Sequence, residues 1–228
     1  MANKPDKYGI KYWAAADSDQ RYVLNALPYL GKDNTKMVGD RVGENVVKKL
    51  VAPFVNKGRN ITMDNYFTSA NLAKDLMKKN TSIVGTVNRI RREVPLSAKL
   101  SKDPLYSSVV YKAGDMTLTC YQGKPNKNVL ILSSMHPDVK VDSKTLKKKP
   151  ETVTFYNETK FGVDIVDQMT RKYSVRAGTR RWPVHVFYNM LDLAMINAHT
   201  LYKLIFDVRI SRRAFIFQVV DELADPHM

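Results

Sequence analysis

Cysteine is almost absent from this sequence: Cys120 is the only one in 228 residues. A single thiol excludes an intramolecular disulfide and a cysteine-rich zinc site. Histidine is scarce as well. His136, His185, His199 and His227 are the full set, and their spacing fits no metal-ligand pattern. Long uninterrupted apolar runs are missing. The longest apolar segment, 184–206, is broken by His185, Asn189, Asp192, Asn197, His199 and Lys203. Such groups argue against a bilayer span, so the segment reads as a buried helix of a soluble protein, and no membrane partner is expected. Residues 1–7 are polar and carry no signal-peptide core, which makes an intracellular protein the expectation.

Acids are outnumbered. Lys plus Arg is 37 against 22 for Asp plus Glu, a net charge of +15. An excess of that size favours a polyanionic partner, nucleic acid first and an anionic membrane surface second. Hydrophobic residues make up 44% of the chain, enough for a core. The length suits one large domain or a domain carrying an insertion.

The chain alternates elements of two periods. Residues 8–16 read as a strand, nearly apolar on both faces towards its end as in a central strand, and it stops at Asp17. Residues 21–30 read as a second, antiparallel strand. Asp40 can cap a helix to about residue 54, with Val42, Val46, Leu50 and Val51 at helical spacing. Ile61-Thr62-Met63 is a short β-type run into Asp64, and Ser69 is a good N-cap for a helix over 70–79. Residues 82–87 are β-branched and read as another strand. Past Asn88 the character changes: short β runs at 109–111, 116–121 and 129–133 form a β-rich unit. Residues 152–156 are one more strand candidate. After Gly162 the pattern is helical, Pro183 starts the long apolar helix, and Ser211 caps a last one.

Three places put an acid at a strand end or a helix start: Asp17, Asp64 and Asp164. Asp167 lies three residues beyond the third, on the same helix face. A β-β-helix-β-helix-β series with acids so placed is the plan of an RNase H-like, retroviral integrase-type α/β fold, a mixed sheet with flanking helices. The chemistry needs such acids. Two Mg²⁺ or Mn²⁺ ions about 4 Å apart clamp the attacking and leaving oxygens of an in-line phosphoryl transfer, and hard cations take carboxylate oxygens. Asp64 has a blander role open to it, since Asp is a common turn residue.

The residues also resemble a known family. Lys7-Tyr8-Gly9-Ile10-Lys11 through Ala16-Asp17-Ser18, Gly58-Arg59-Asn60-Ile61-Thr62-Met63-Asp64-Asn65-Tyr66-Phe67-Thr68-Ser69 and Ile83-Val84-Gly85-Thr86-Val87 with the arginines after it are similar to the catalytic core of piggyBac transposases and proteins derived from them. So are Tyr156-Asn157-Glu158-Thr159-Lys160-Phe161-Gly162-Val163-Asp164-Ile165-Val166-Asp167-Gln168-Met169 and Arg181-Trp182-Pro183. The resemblance implies a catalytic and metal-binding triad of Asp17, Asp64 and Asp164, with Asp167 beside it. It implies an RNase H-like core at 1–90 and 151–228 interrupted by a β-rich insertion at 91–150. The activity implied is a metal-dependent polynucleotidyl transfer: hydrolytic nicking, hairpin formation and joining of 3′-hydroxyls at TTAA. A nuclear location and a homodimer in the full-length protein follow from the same likeness, with no small-molecule cofactor. The family's transposases carry a long region before this core and a Cys-rich zinc module after it, so the chain is expected to be a fragment or a truncated relative. The alternatives are a domesticated, catalytically silent DNA-binding protein and a plain RNase H-like nuclease.

Candidate DNA contacts are the basic clusters. Arg89, Arg91 and Arg92 follow the fourth strand, Lys147, Lys148 and Lys149 end the β-rich unit, and Arg171, Lys172, Arg176, Arg180 and Arg181 lie between the late helices. Trp182 has two readings, core packing at a helix start or a stacking surface for an unpaired base.

Overall fold

The structure is a computed structural model that describes residues 10–29, 31, 41–100 and 103–225. In chain order the elements are β1 (Tyr12–Ala16), β2 (Val23–Pro28), α1 (Val42–Val51, running into a 3-10 turn at Ala52–Phe54), β3 (Asn60–Met63), α2 (Ala70–Met77) and β4 (Ser82–Thr86). Then come α3 (Leu96–Leu100), β5 (Ser108–Ala113), β6 (Met116–Lys124), β7 (Lys127–Ser133), α4 (Glu151–Thr159), α5 (Gly162–Lys172), α6 (Trp182–Phe206) and α7 (Arg212–Ala224). The helix start expected at Asp40 and the first residues of the expected strand at 8–16 lie outside the described residues. The fold is mixed α/β and divides into two compact units, Thr35–Lys160 and the combination of Met1–Asn34 with Phe161–Met228.

The continuous unit is built on a five-stranded mixed sheet in the order β3-β4-β7-β6-β5. β3 and β4 are parallel, with Ile61 opposite Ile83; the other pairs are antiparallel. Val84, Tyr121, Ile131 and Val153 form a core cluster between the sheet and α4. Ile83, one residue along, lies on the opposite face of the strand and is fully buried. α2 is amphipathic and buries Leu72, Ala73 and Leu76. Ser69 caps it, accepting from the Leu72 N–H at 3.1 Å. Because Ser69 is itself buried, Ser69→Ala leaves that N–H without a partner. The expected cost is about 1–2 kcal/mol, read as a lower urea midpoint at unchanged slope.

Two expectations are corrected here. Residues 152–156 are helix, not strand. The β-branched composition reads as β, but Thr152 and Val153 are buried on one side of α4, and the Thr152 hydroxyl reaches the Thr119 hydroxyl at 3.0 Å. Tertiary burial of that face outweighs local propensity. The strands of the expected 91–150 insertion do not form a sheet of their own either. They continue the sheet of β3 and β4 through the β4–β7 pairing, Gly85 opposite Leu132.

In the discontinuous unit β1 and β2 form an antiparallel two-stranded sheet, with Ala14 opposite Ala26. β1 is therefore not the central strand of a larger sheet among the described residues. Val23, Val166 and Ile196 make the core, with Ala16, Ala26, Met169 and Leu193 around it. Asn197 of α6 joins β2 by accepting from the Val23 N–H at 2.7 Å and donating to its carbonyl at 2.9 Å. Ser211 caps α7, as expected. α6 starts with Pro183 in its first turn, yet it is not the buried helix expected. Only Asp192, Ile196, His199 and Thr200 are buried, while Phe187, Met190, Leu204, Ile205 and Phe206 are exposed. No helix among the described residues is long and apolar enough to cross a membrane.

Candidate catalytic site and nucleic-acid surface

Asp17 follows β1 directly and turns the chain into β2. Its Oδ1 accepts from the Asp19 N–H at 3.0 Å and the Gln20 N–H at 2.7 Å, and its backbone N–H closes the turn on the Tyr22 carbonyl at 2.8 Å. Arg21 completes the turn with a left-handed φ of 63°.

Asp64 stands in the same relation to β3. Its Oδ1 accepts from the Tyr66 N–H at 2.9 Å. Its carbonyl takes the Thr68 N–H at 3.1 Å and the Thr68 hydroxyl at 2.7 Å. The bland role weighed for Asp64 is thus real, and one oxygen performs it. Among the described residues the other carboxylate oxygen of each aspartate accepts no hydrogen bond. Asp64 is exposed and Asp17 half-buried.

Asp164 lies in the first turn of α5, where the helix dipole favours an acid. Asp167, one turn on, is also exposed and sits 3.7 Å from Arg171, an exposed pair of little energetic weight. The start of α5 packs on the end of β1: a Cβ on Gly162 would lie 3.5 Å from the Asp17 carbonyl oxygen. Asp17 and Asp164 therefore belong to one unit and to neighbouring backbone, while Asp64 belongs to the other. Within neither unit do three His, Cys, Asp or Glu side chains among the described residues gather as a metal cage. The donors nevertheless suit a hard dication. They are carboxylate oxygens, and in Asp17 and Asp64 one oxygen is fixed by backbone N–H groups while the other remains available.

The Asp64 turn is tightly packed from below. A Cβ added to Gly85 of β4 would meet the Thr68 hydroxyl at 2.2 Å and the Met63 carbonyl at 2.7 Å. Gly85→Ala must therefore push the turn off the sheet. The expected cost is about 1–3 kcal/mol of overpacking, seen as a lower thermal midpoint.

The basic residues separate into distinct groups. Arg92, Lys147, Lys148, Arg171, Lys172, Arg176, Arg180 and Arg181 are exposed. Lys149 is half-buried. Arg89 is exposed and donates to the Asn128 side-chain oxygen. Arg91 is turned inward, its Nη2 donating to the carbonyls of Asn65 and Tyr66 at 3.0 Å each. Trp182 is 61% exposed at the start of α6, so its core-packing reading is overturned. Sequence reasoning missed Asp192. Buried in α6, it accepts from the Ser174 hydroxyl at 2.7 Å and the Val175 N–H at 2.9 Å, pinning the segment that carries Arg176. It also missed Arg212, which donates to the carbonyls of Met169 and Tyr173 and so closes the end of α5. Burial draws that guanidinium below its ordinary pKa, opposed by the nearby Asp192. Neither partner could be found from local spacing, since both contacts span distant elements.

Comparison with known proteins identifies the family. The family model described as Transposase IS4 matches residues 1–199. A cryo-EM structure of a piggyBac transposase synaptic complex with hairpin DNA is similar at a TM-score of 0.89 and 38% identity, covering 98% of this chain and 48% of that one. The chain belongs to the piggyBac family of transposases and transposase-derived proteins. The human PiggyBac transposable element-derived protein 2 is 26% identical over 221 residues, 88% of this chain and 37% of the relative. The chain thus spans less than half the length of these relatives.

Proposed function

We propose that the chain is the catalytic core of a cut-and-paste DNA transposase, RNase H-like in plan, acting in the nucleus as part of a homodimer on TTAA-flanked DNA. The observation that carries this reading is the matched pair of strand ends. Asp17 holds one carboxylate oxygen on two backbone N–H groups and Asp64 holds one on a single N–H, and each leaves the other available, in a chain of this family. Asp17, Asp64 and Asp164, with Asp167 nearby, would hold two Mg²⁺ or Mn²⁺ ions, which when bound stabilise the attacking and leaving oxygens of an in-line phosphoryl transfer. The chain's own contribution is orientation. The two turns fix the carboxylates before substrate arrives, so little reorganisation remains at the moment of reaction. The exposed cations named above supply phosphate contacts, and Trp182 beside Arg181 offers an aromatic face for an unpaired base.

The test is a nicking assay on DNA with TTAA-flanked ends, with Mg²⁺ and with EDTA, beside a binding titration. Metal-dependent nicking supports the reading. Tight binding with no nicking in either condition would replace it with a silent, domesticated DNA-binding protein.

A further inference from the structure

Arg91 was expected among the phosphate contacts, yet its surroundings point inward. Its side chain is 20% exposed. The two Nη2 bonds reach 25 and 26 residues back along the chain to the Tyr66 and Asn65 carbonyls, in the turn that begins at Asp64. Nη1 lies 3.9 Å from Glu93 Oε1. That oxygen also accepts from the Ala70 N–H at 3.1 Å, the first residue of α2. Glu93 Oε2 takes Arg41 Nη1 at 3.2 Å, and the same Arg41 nitrogen reaches Glu44 Oε1 at 2.9 Å. Glu44 in turn accepts from the capping hydroxyl of Ser69 at 2.6 Å. The turn between Asp64 and α2 is therefore held at its middle by Arg91, and at its end by Glu93 and Glu44.

We propose that Arg91, backed by Glu93, is a positioning residue for Asp64 and not a phosphate contact. The inference rests on the reading of Asp64 as a metal-binding acid, and it deepens that reading. A β-strand end leaves the following acid on a loop, and a loop does not by itself hold a carboxylate to the tolerance that chemistry demands. Here the planar guanidinium satisfies two adjacent carbonyls at once. Both bonds come from Nη2 while Nη1 faces Glu93; lysine keeps the charge, but its single nitrogen cannot serve the carbonyls and Glu93 from two positions. With Nη2 on the two carbonyls and Nη1 beside Glu93, a phosphate gripping both Nη nitrogens would have to displace those partners.

The experiment compares the 228-residue protein with its Arg91→Lys variant in three readouts. Hydrogen exchange at the Tyr66, Phe67 and Thr68 amides, which all donate to Asp64, is expected to rise by about tenfold or more while the sheet is unchanged. Mn²⁺ affinity, followed by electron paramagnetic resonance, is expected to weaken by about 10–100-fold, as for other residues that orient metal ligands. DNA affinity and its salt dependence, read on Arg91→Ala because lysine would keep a phosphate contact, stay as in the wild type. Unchanged exchange overturns the proposal. So does a salt slope lowered by about 1, the mark of a lost phosphate contact. If Mn²⁺ binding is equally absent from the wild type and from Asp64→Asn, the metal reading of Asp64 fails, and the exchange result still decides whether Arg91 straps the turn. Should Arg91→Lys fail to fold, Glu93→Gln carries the same test. It keeps the shape and removes the charge that holds Ala70 and Arg41, and the same exchange readout decides.

Discussion

Replacing Asp64 by Asn is expected to lower the metal-dependent strand cleavage proposed for the chain by at least about 10²–10³, the usual loss on removing one preorganised electrostatic element, with the fold and any DNA affinity retained. Asparagine keeps the size of the side chain and an amide oxygen able to accept from the Tyr66 N–H, so the turn after β3 survives. What disappears is a negative charge from a position proposed to hold dications, and metal binding depends on that charge. Asp64 is exposed, so its neutralisation costs little stability, and the thermal midpoint should move by no more than a degree or two. Nicking rates measured over a range of Mg²⁺, beside a DNA titration without metal, separate the two effects. Equal nicking by both proteins would remove Asp64 from the mechanism.

DNA affinity should collapse with salt. The nine exposed cations named above, Arg89 included, are candidate phosphate contacts. If about eight phosphates are neutralised, affinity falls roughly 10³–10⁵-fold between about 50 and 200 mM salt. The large net charge of +15 points the same way, since such binding is driven mainly by counterion release and carries little sequence information. Arg91→Ala should leave the slope unchanged, whereas Arg180→Ala and Arg181→Ala should each reduce it by about 1. A slope near zero would show that these clusters are solvated surface.

The features read correctly from the sequence are those with local causes. Alternation and β-branching mark β3 and β4, and Ser69 and Ser211 mark the starts of α2 and α7, because capping depends on residues three apart. The acids at strand ends were legible for the same reason. What escaped depends on distant partners. Residues 152–156 look like a strand until the buried face of α4 is supplied by the sheet. The run after Asn88 reads as a basic cluster, but nothing nearby reveals that Arg91 is engaged by the carbonyls of Asn65 and Tyr66. The pairing of β4 with β7 joins strands about 50 residues apart, so a change in composition along the chain does not mark a change of sheet.

The discontinuous unit also sets a timetable for synthesis. β2 finishes part of its hydrogen bonding on Asn197, which lies 174 residues later in the chain. At ribosomal rates of about 5–20 residues per second, the first hairpin waits on the order of ten seconds or more for α5 and α6 to appear. The last strand of the sheet that carries Asp64 ends at Ser133, so that sheet is complete before α5 and α6 are made, while the hairpin is still waiting. Asp17 lacks both the helix that packs behind it and its acidic neighbour. A nascent chain halted between α4 and α5 therefore carries the Asp64 sheet without Asp164 and Asp167.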